Sequence, residues 1–205
     1  MCMATLMTRS LGWAISTTRP VRRPTSRRFV ARLTAAVRSA CVWPGRAGAP
    51  TRPHQVYTLG LDDLRTGQSL SAARPTSWRY LVERDDRPVA LGETQIRTSG
   101  EHAFAQLNYG PFVRGTAEAL GVAEQYAAQG DADVRLLHIP ALYPQALWLH
   151  SQSRASESED TLVPVAPTPP GIEANRAYPA RELLDLLQER ARSVPEMVEG
   201  DTRGG

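Results

Sequence analysis

The sequence predicts an α+β domain: a two-layer sandwich in which two helices cover one face of a mainly antiparallel sheet of four to five strands. Three observations predict it. Apolar residues alternate with polar ones over residues 78–83 and 89–97 (WRYLVE, VALGETQIR), the period of a half-buried strand. Two longer stretches, residues 112–127 and 179–193, instead repeat their apolar residues every three or four positions, the period of an amphipathic helix. Short polar or proline-containing connections separate the strands, and such connections join antiparallel neighbours.

In chain order the elements read β-β-α-β-β-β-α. Trp78, Tyr80 and Val82 alternate with Arg79, Leu81 and Glu83, and Arg84-Asp85-Asp86-Arg87-Pro88 supplies a turn, so residues 78–97 form a hairpin. Residues 98–110 read as a loop. Pro111 then opens a helix, where a residue without an amide hydrogen loses nothing. The stripe Phe112, Val113, Thr116, Leu120, Ala123 and Ala127 faces the core, and Gly130 would close the helix. Gly115 and Gly121 cost roughly 1 kcal/mol each relative to alanine, so close packing has to justify small residues there. Residues 134–139 and 146–150 are strands joined by Pro-Ala-Leu-Tyr-Pro, and residues 161–165 a further short strand. Consecutive prolines forbid a helix in the segment that follows. The last helix presents Leu183, Leu184, Leu187 and Ala191 on one side.

Charge divides the chain. All 24 basic residues are arginine; ten fall in residues 1–61, where there is no acid before Asp62. The remaining 14 face 21 acidic residues. The absence of lysine, beside abundant alanine and proline, matches a GC-rich, bacterial-like coding sequence and weakens a nucleic-acid reading of the arginines. Residues 1–55 are expected to be a basic, largely disordered extension, residues 56–195 a single domain, and residues 196–205 a disordered tail. Three roles compete for the extension: a removable targeting segment, an arm touching nucleic acid or anionic lipid, and a poorly ordered leader, which is favoured. Within it, Phe29, Val30, Leu33, Ala36 and Val37 sit at helical spacing with arginines opposite, a helix marginal by itself at that length. No apolar run approaches the roughly 20 residues of a membrane span. Both cysteines, Cys2 and Cys41, lie in the extension, so a disulfide framework or thiolate metal cluster in the body is excluded, and a reducing, cytoplasmic setting is the simpler expectation.

Candidate sites are few. His138 and His150 bracket two prolines, Pro140 and Pro144, in the most apolar run, and pairing about Pro144 would place them on one face. With Glu101 and His102, they form a four-residue candidate metal or catalytic cluster, which Glu93 could join. No HxH, HExxH or CxxC spacing supports it, and structural histidines are the favoured reading. There is no GxSxG elbow, the body offers no cysteine nucleophile, and the pairs Asp62-Asp63, Asp85-Asp86 and Asp131/Asp133 read as turn or strand residues. Gly110 to Gly115 lacks the lysine of a phosphate-binding loop. No cofactor is expected. The economical reading is a small, non-enzymatic binding or accessory domain. Its protein-binding surface would comprise Tyr143, Trp148 and Tyr178 with the proline-rich loop 164–170, including Pro167. A His102/His138/His150 enzyme and nucleic-acid contact through the basic extension are the alternatives.

Overall fold

The structure, a computed structural model, describes residues 49–195 apart from 69, 100, 101, 129–131 and 152–159. The helix expected near residues 29–37, the cap at Gly130 and the C-terminal tail lie outside the described residues.

The chain folds as α+β around one mixed sheet of eight strands rather than four to five. Its strands are β1 (Ala49–Thr58), β2 (Arg74–Arg84), β3 (Arg87–Ile96), β4 (His102–Asn108), β5 (Ala132–His138), β6 (Gln145–Ser151), β7 (Thr161–Pro164) and β8 (Tyr178–Pro179). Across the sheet they run β4-β3-β2-β1-β5-β6-β7-β8. Three α-helices accompany them: α1 (Leu61–Arg65), α2 (Pro111–Ala127) and α3 (Ala180–Ser193). The expected hairpin is β2–β3, turning through Asp85 and Asp86, both at positive φ. Aspartate tolerates that conformation better than most residues.

The sheet gains strands the periodicity hid. The expected domain boundary at residue 55 falls inside β1, whose sequence APTRPHQVYT carries two prolines and no clean alternation. The irregular part coincides with a register shift between Thr51 and His54, and Arg52 between them has positive φ. Strand prolines are tolerated at such bulges. β1 is nonetheless central: it pairs antiparallel with β2 and parallel with β5, which makes the sheet mixed. β4, read from the sequence as loop, pairs antiparallel with β3.

The helices do not share a face, so the two-layer expectation gives way to cover on both sides. Neighbouring strand residues point to opposite faces. On one face, Val56, Leu136, Leu147, Leu149 and Val163 pack against Ala119, Leu120 and Ala123 of α2, while Leu81 and Leu91 meet its Val113. On the other, Leu137, Trp148 and Leu162 pack against Leu64 of α1 and Leu183, Leu187 and Ala191 of α3. Arg65 joins these two helices, its guanidinium donating to the Ala191 and Val194 carbonyls (3.0 and 2.5 Å) at the C-terminal end of α3. A cation there satisfies carbonyls the helix cannot and complements its dipole.

The two helical glycines have different reasons. A Cβ on Gly115 would lie 2.0 Å from the Ala166 carbonyl oxygen, so only glycine lets the loop after β7 approach α2. Around Gly121 there is open space within 4 Å.

Candidate functional site

The β5–β6 register separates the two histidines of interest. His138 is paired with Gln145 and His150 with Asp133, five residues apart along β5. That offset is about 17 Å of strand, and being odd it sends the side chains to opposite faces. The expectation that they share a face fails because the chain between them turns tightly, through a short helical turn at Pro140–Leu142, so the strands pair residue for residue from His138 onward. His102 opens β4, four strand steps from β5, about 19 Å along the sheet. Glu101 lies outside the described residues. Among the described residues no three His, Cys, Asp or Glu side chains converge as metal ligands.

Each histidine belongs instead to a separate polar centre. On the α2 face, Arg79 of β2 lies directly across from Glu93 of β3. Its Nε and one terminal nitrogen donate to a Glu93 oxygen (3.3 and 3.0 Å), and its other terminal nitrogen donates to the Gln145 side chain (2.7 Å). Ser77 and Gln106 donate to the same carboxylate (2.5 and 3.2 Å). Burial raises the Glu93 pKa, but Arg79 and these donors outweigh it and hold the carboxyl below its ordinary value. The net stability from such a buried ion pair is small, because desolvation of the two charges offsets their attraction. His138 borders the centre, and burial, reinforced by Arg79, lowers its pKa. His54, from the segment read as extension, is 1% exposed and sits beside Arg79 in the β1–β2 register. Its Nδ1 bonds the Arg52 carbonyl (2.9 Å), and its Nε2 is buried without a partner. Burial first, then Arg79, push its pKa down to about 4.

On the opposite face the centre is Asp160, fully buried ahead of β7. One carboxylate oxygen accepts from Trp148 Nε1 (2.7 Å) and His150 Nδ1 (2.8 Å), the other from the Ser151 amide (3.2 Å). Its backbone carbonyl accepts the Ala180 amide at the start of α3 (2.8 Å). Asp160 thus ties the end of β6, the start of β7 and the entry to α3 together. The His150 ring stacks edge-on against Trp148, and the Arg135 guanidinium lies 4.8 Å from the Trp148 ring and 5.0 Å from that of Tyr57. A buried carboxylate holding an imidazole by Nδ1 is the base-orienting half of a catalytic triad. Among the described residues no hydroxyl or thiol is hydrogen-bonded to His150 to complete one.

The aromatic surface expected from the sequence is divided by burial. Trp148 is 1% and Tyr178 2% exposed. Both belong to the core under α3, because even-numbered β6 residues face that helix and Tyr178 opens the short strand leading into it. Tyr143 and Pro167 remain at the surface. Tyr143 is 80% exposed, and Pro167 follows a cis peptide bond. Pro144, Pro164, Thr168 and Pro169 line an apolar cleft between these loops, of about 10 Å³. That is scarcely room for one water molecule.

No protein-family profile matches the chain, no characterised protein matches its sequence, and no solved structure matches it. Among the described residues no helix is long and apolar enough to cross a membrane. Sequence reasoning missed Arg79, His54 and Asp160. Arg79 does carry a signal, a charge at an inward position of an alternating strand. Asp160 looked like the end of a polar loop.

Proposed function

We propose that this protein is a non-enzymatic binding domain that engages a protein partner through Tyr143 and the loop from residue 164 to 170. The observation that carries the reading is the way Tyr143 is presented. It follows the helical turn Pro140–Leu142 and adopts left-handed backbone geometry (φ 64°), unusual for a bulky residue. The turn is closed by the Leu142 amide on the Ile139 carbonyl (3.1 Å) and the Tyr143 amide on the Pro140 carbonyl (3.3 Å). The ring is therefore held out to solvent on a fixed backbone. A rigid aromatic loses little conformational entropy on binding and is a frequent interface anchor. Pro144, next to Tyr143 in the chain, shares the small cleft with Pro164, Thr168 and Pro169 of the 164–170 loop, which adds rigid apolar area to the surface. The polar centres support the same reading, since their hydrogen-bonding groups are largely turned on one another.

The test is quantitative cross-linking of the wild-type protein and Tyr143→Ala in the cells that produce it. Tyr143→Ala removes an exposed ring, so folding is retained and partner cross-links at this end of the sheet are lost. Partners recovered in unchanged amount with the variant would defeat the proposal.

A further inference from the structure

The face of β2, β3 and β4 turned away from α2 is apolar and dry. Tyr80 is 1% and Val82 2% exposed, Ala90 is equally buried, and Trp78, Val89 and Leu107 pack against them. Thr94 on the same face is fully buried. Each strand residue has a sheet on its flanks but needs a second layer above it to be shielded from water. Farther along this face α1 and α3 are that layer, over β5, β6 and β7. Among the described residues no helix packs on the Tyr80 patch, since α2 meets β2 and β3 from the other side.

We propose that the missing layer is the chain's own segment of residues 27–41, docked as an amphipathic helix on Trp78, Tyr80, Val82, Ala90 and Leu107. Three properties select this occupant over others. Phe29, Val30, Leu33, Ala36 and Val37 form one apolar stripe, about 13 Å long as a helix, which spans a patch three strands wide. Arg28 and Arg38 fall on the opposite side of that helix and stay in water. The tether also leads there: β1 starts with Ala49 paired to Glu83 and Pro50 to Val82, at the edge of the patch. The seven residues 42–48 reach at most about 25 Å, enough to return the segment onto the sheet beside the start of β1. Each side needs the other, because a helix of that length is marginal in water and the Tyr80 face is unstable exposed. The basic segment is thereby an integral layer of the domain, and its arginines become an outward-facing basic stripe.

Hydroxyl-radical footprinting of the full chain tests this, with Trp78 and Leu107 as reporters and Trp148 as an internal standard for the fold. Leu33→Asp combined with Val37→Asp raises labelling of Trp78 and Leu107 severalfold while Trp148 stays protected. Arg28→Ala with Arg38→Ala leaves both as in the wild type. Unchanged labelling in the aspartate variant, with Trp148 protected, overturns the proposal. Should that variant unfold, a photo-cross-linker on Cys41 of the Cys2→Ser chain decides instead. Cross-links within one chain to β2–β4 support the docking. Cross-links to other strands, or between isotopically distinguished chains, refute it, the latter showing that a second copy covers the face.

Discussion

Acidification should loosen this protein through His54. In the fold the ring is neutral, with Nδ1 bonded to the Arg52 carbonyl, so Nδ1 carries the proton and Nε2 is bare and buried. Protonating Nε2 would bury a charge and a donor with no acceptor, beside the Arg79 cation. Burial and Arg79 accordingly lower the pKa from 6.5 to about 4, against the opposing influence of the Arg52 carbonyl and Glu93. Because the folded value is the lower one, the unfolded chain binds a proton first. The associated stability is complete above pH 6.5 and is lost as pH falls toward 4. At 1.36 kcal/mol per pKa unit, the loss from this residue approaches about 3 kcal/mol, a large share of the stability of an ordinary domain. Urea unfolding at half-unit steps from pH 7.5 to 4.5, on wild type and His54→Gln, measures it. The wild-type free energy falls by an extra 1 kcal/mol or so per pH unit below 6 relative to the variant, which has no group to titrate at that position. His138, also lowered, adds a slope of the same sign to both proteins and cancels in the difference. Equal slopes for the two proteins would show that His54 is solvated or paired in solution and would refute the argument.

Asp160→Ala leaves Trp148 Nε1, His150 and the Ser151 amide without their acceptor, and thermal unfolding should show a loss of about 3 kcal/mol or more. A loss under 1 kcal/mol would mean that water replaces the carboxylate. Gly115→Ala drives a methyl into the Ala166 carbonyl and should cost about 1–3 kcal/mol. Gly121→Ala meets open space in a helix and should instead raise stability by up to about 1 kcal/mol, so the two melting temperatures should move in opposite directions.

The local elements were legible from the sequence because their signals are local. Trp78, Tyr80 and Val82 alternate whatever they pack on, and Leu183, Leu187 and Ala191 mark one side of α3 wherever that side is turned. The buried stripe of α2 likewise includes the expected Val113, Thr116, Leu120 and Ala123. The tightness around Gly115 was anticipated in kind, although the close neighbour is a loop carbonyl rather than the sheet. Strand β1 was hidden for the converse reason. Its prolines and bulge spoil the alternation, and its place at the sheet centre comes from partners 16 or more residues away, β2 on one side and parallel β5 on the other.

By itself, then, the sequence determined an α+β chain with a β2–β3 hairpin, two amphipathic helices and a basic N-terminal third set against an acidic body. The tertiary structure alone decided which faces those helices cover and which side chains meet. A one-residue difference in register sends a strand side chain to the other face, so the pairing of His138 with Gln145 was enough to part the two histidines. The same parity buried Trp148 while the proline-bounded turn left Tyr143 in water. Arg79 with Glu93, and Asp160 with Trp148 and His150, come from different strands or from both ends of a loop, and no spacing along the chain encodes their meeting.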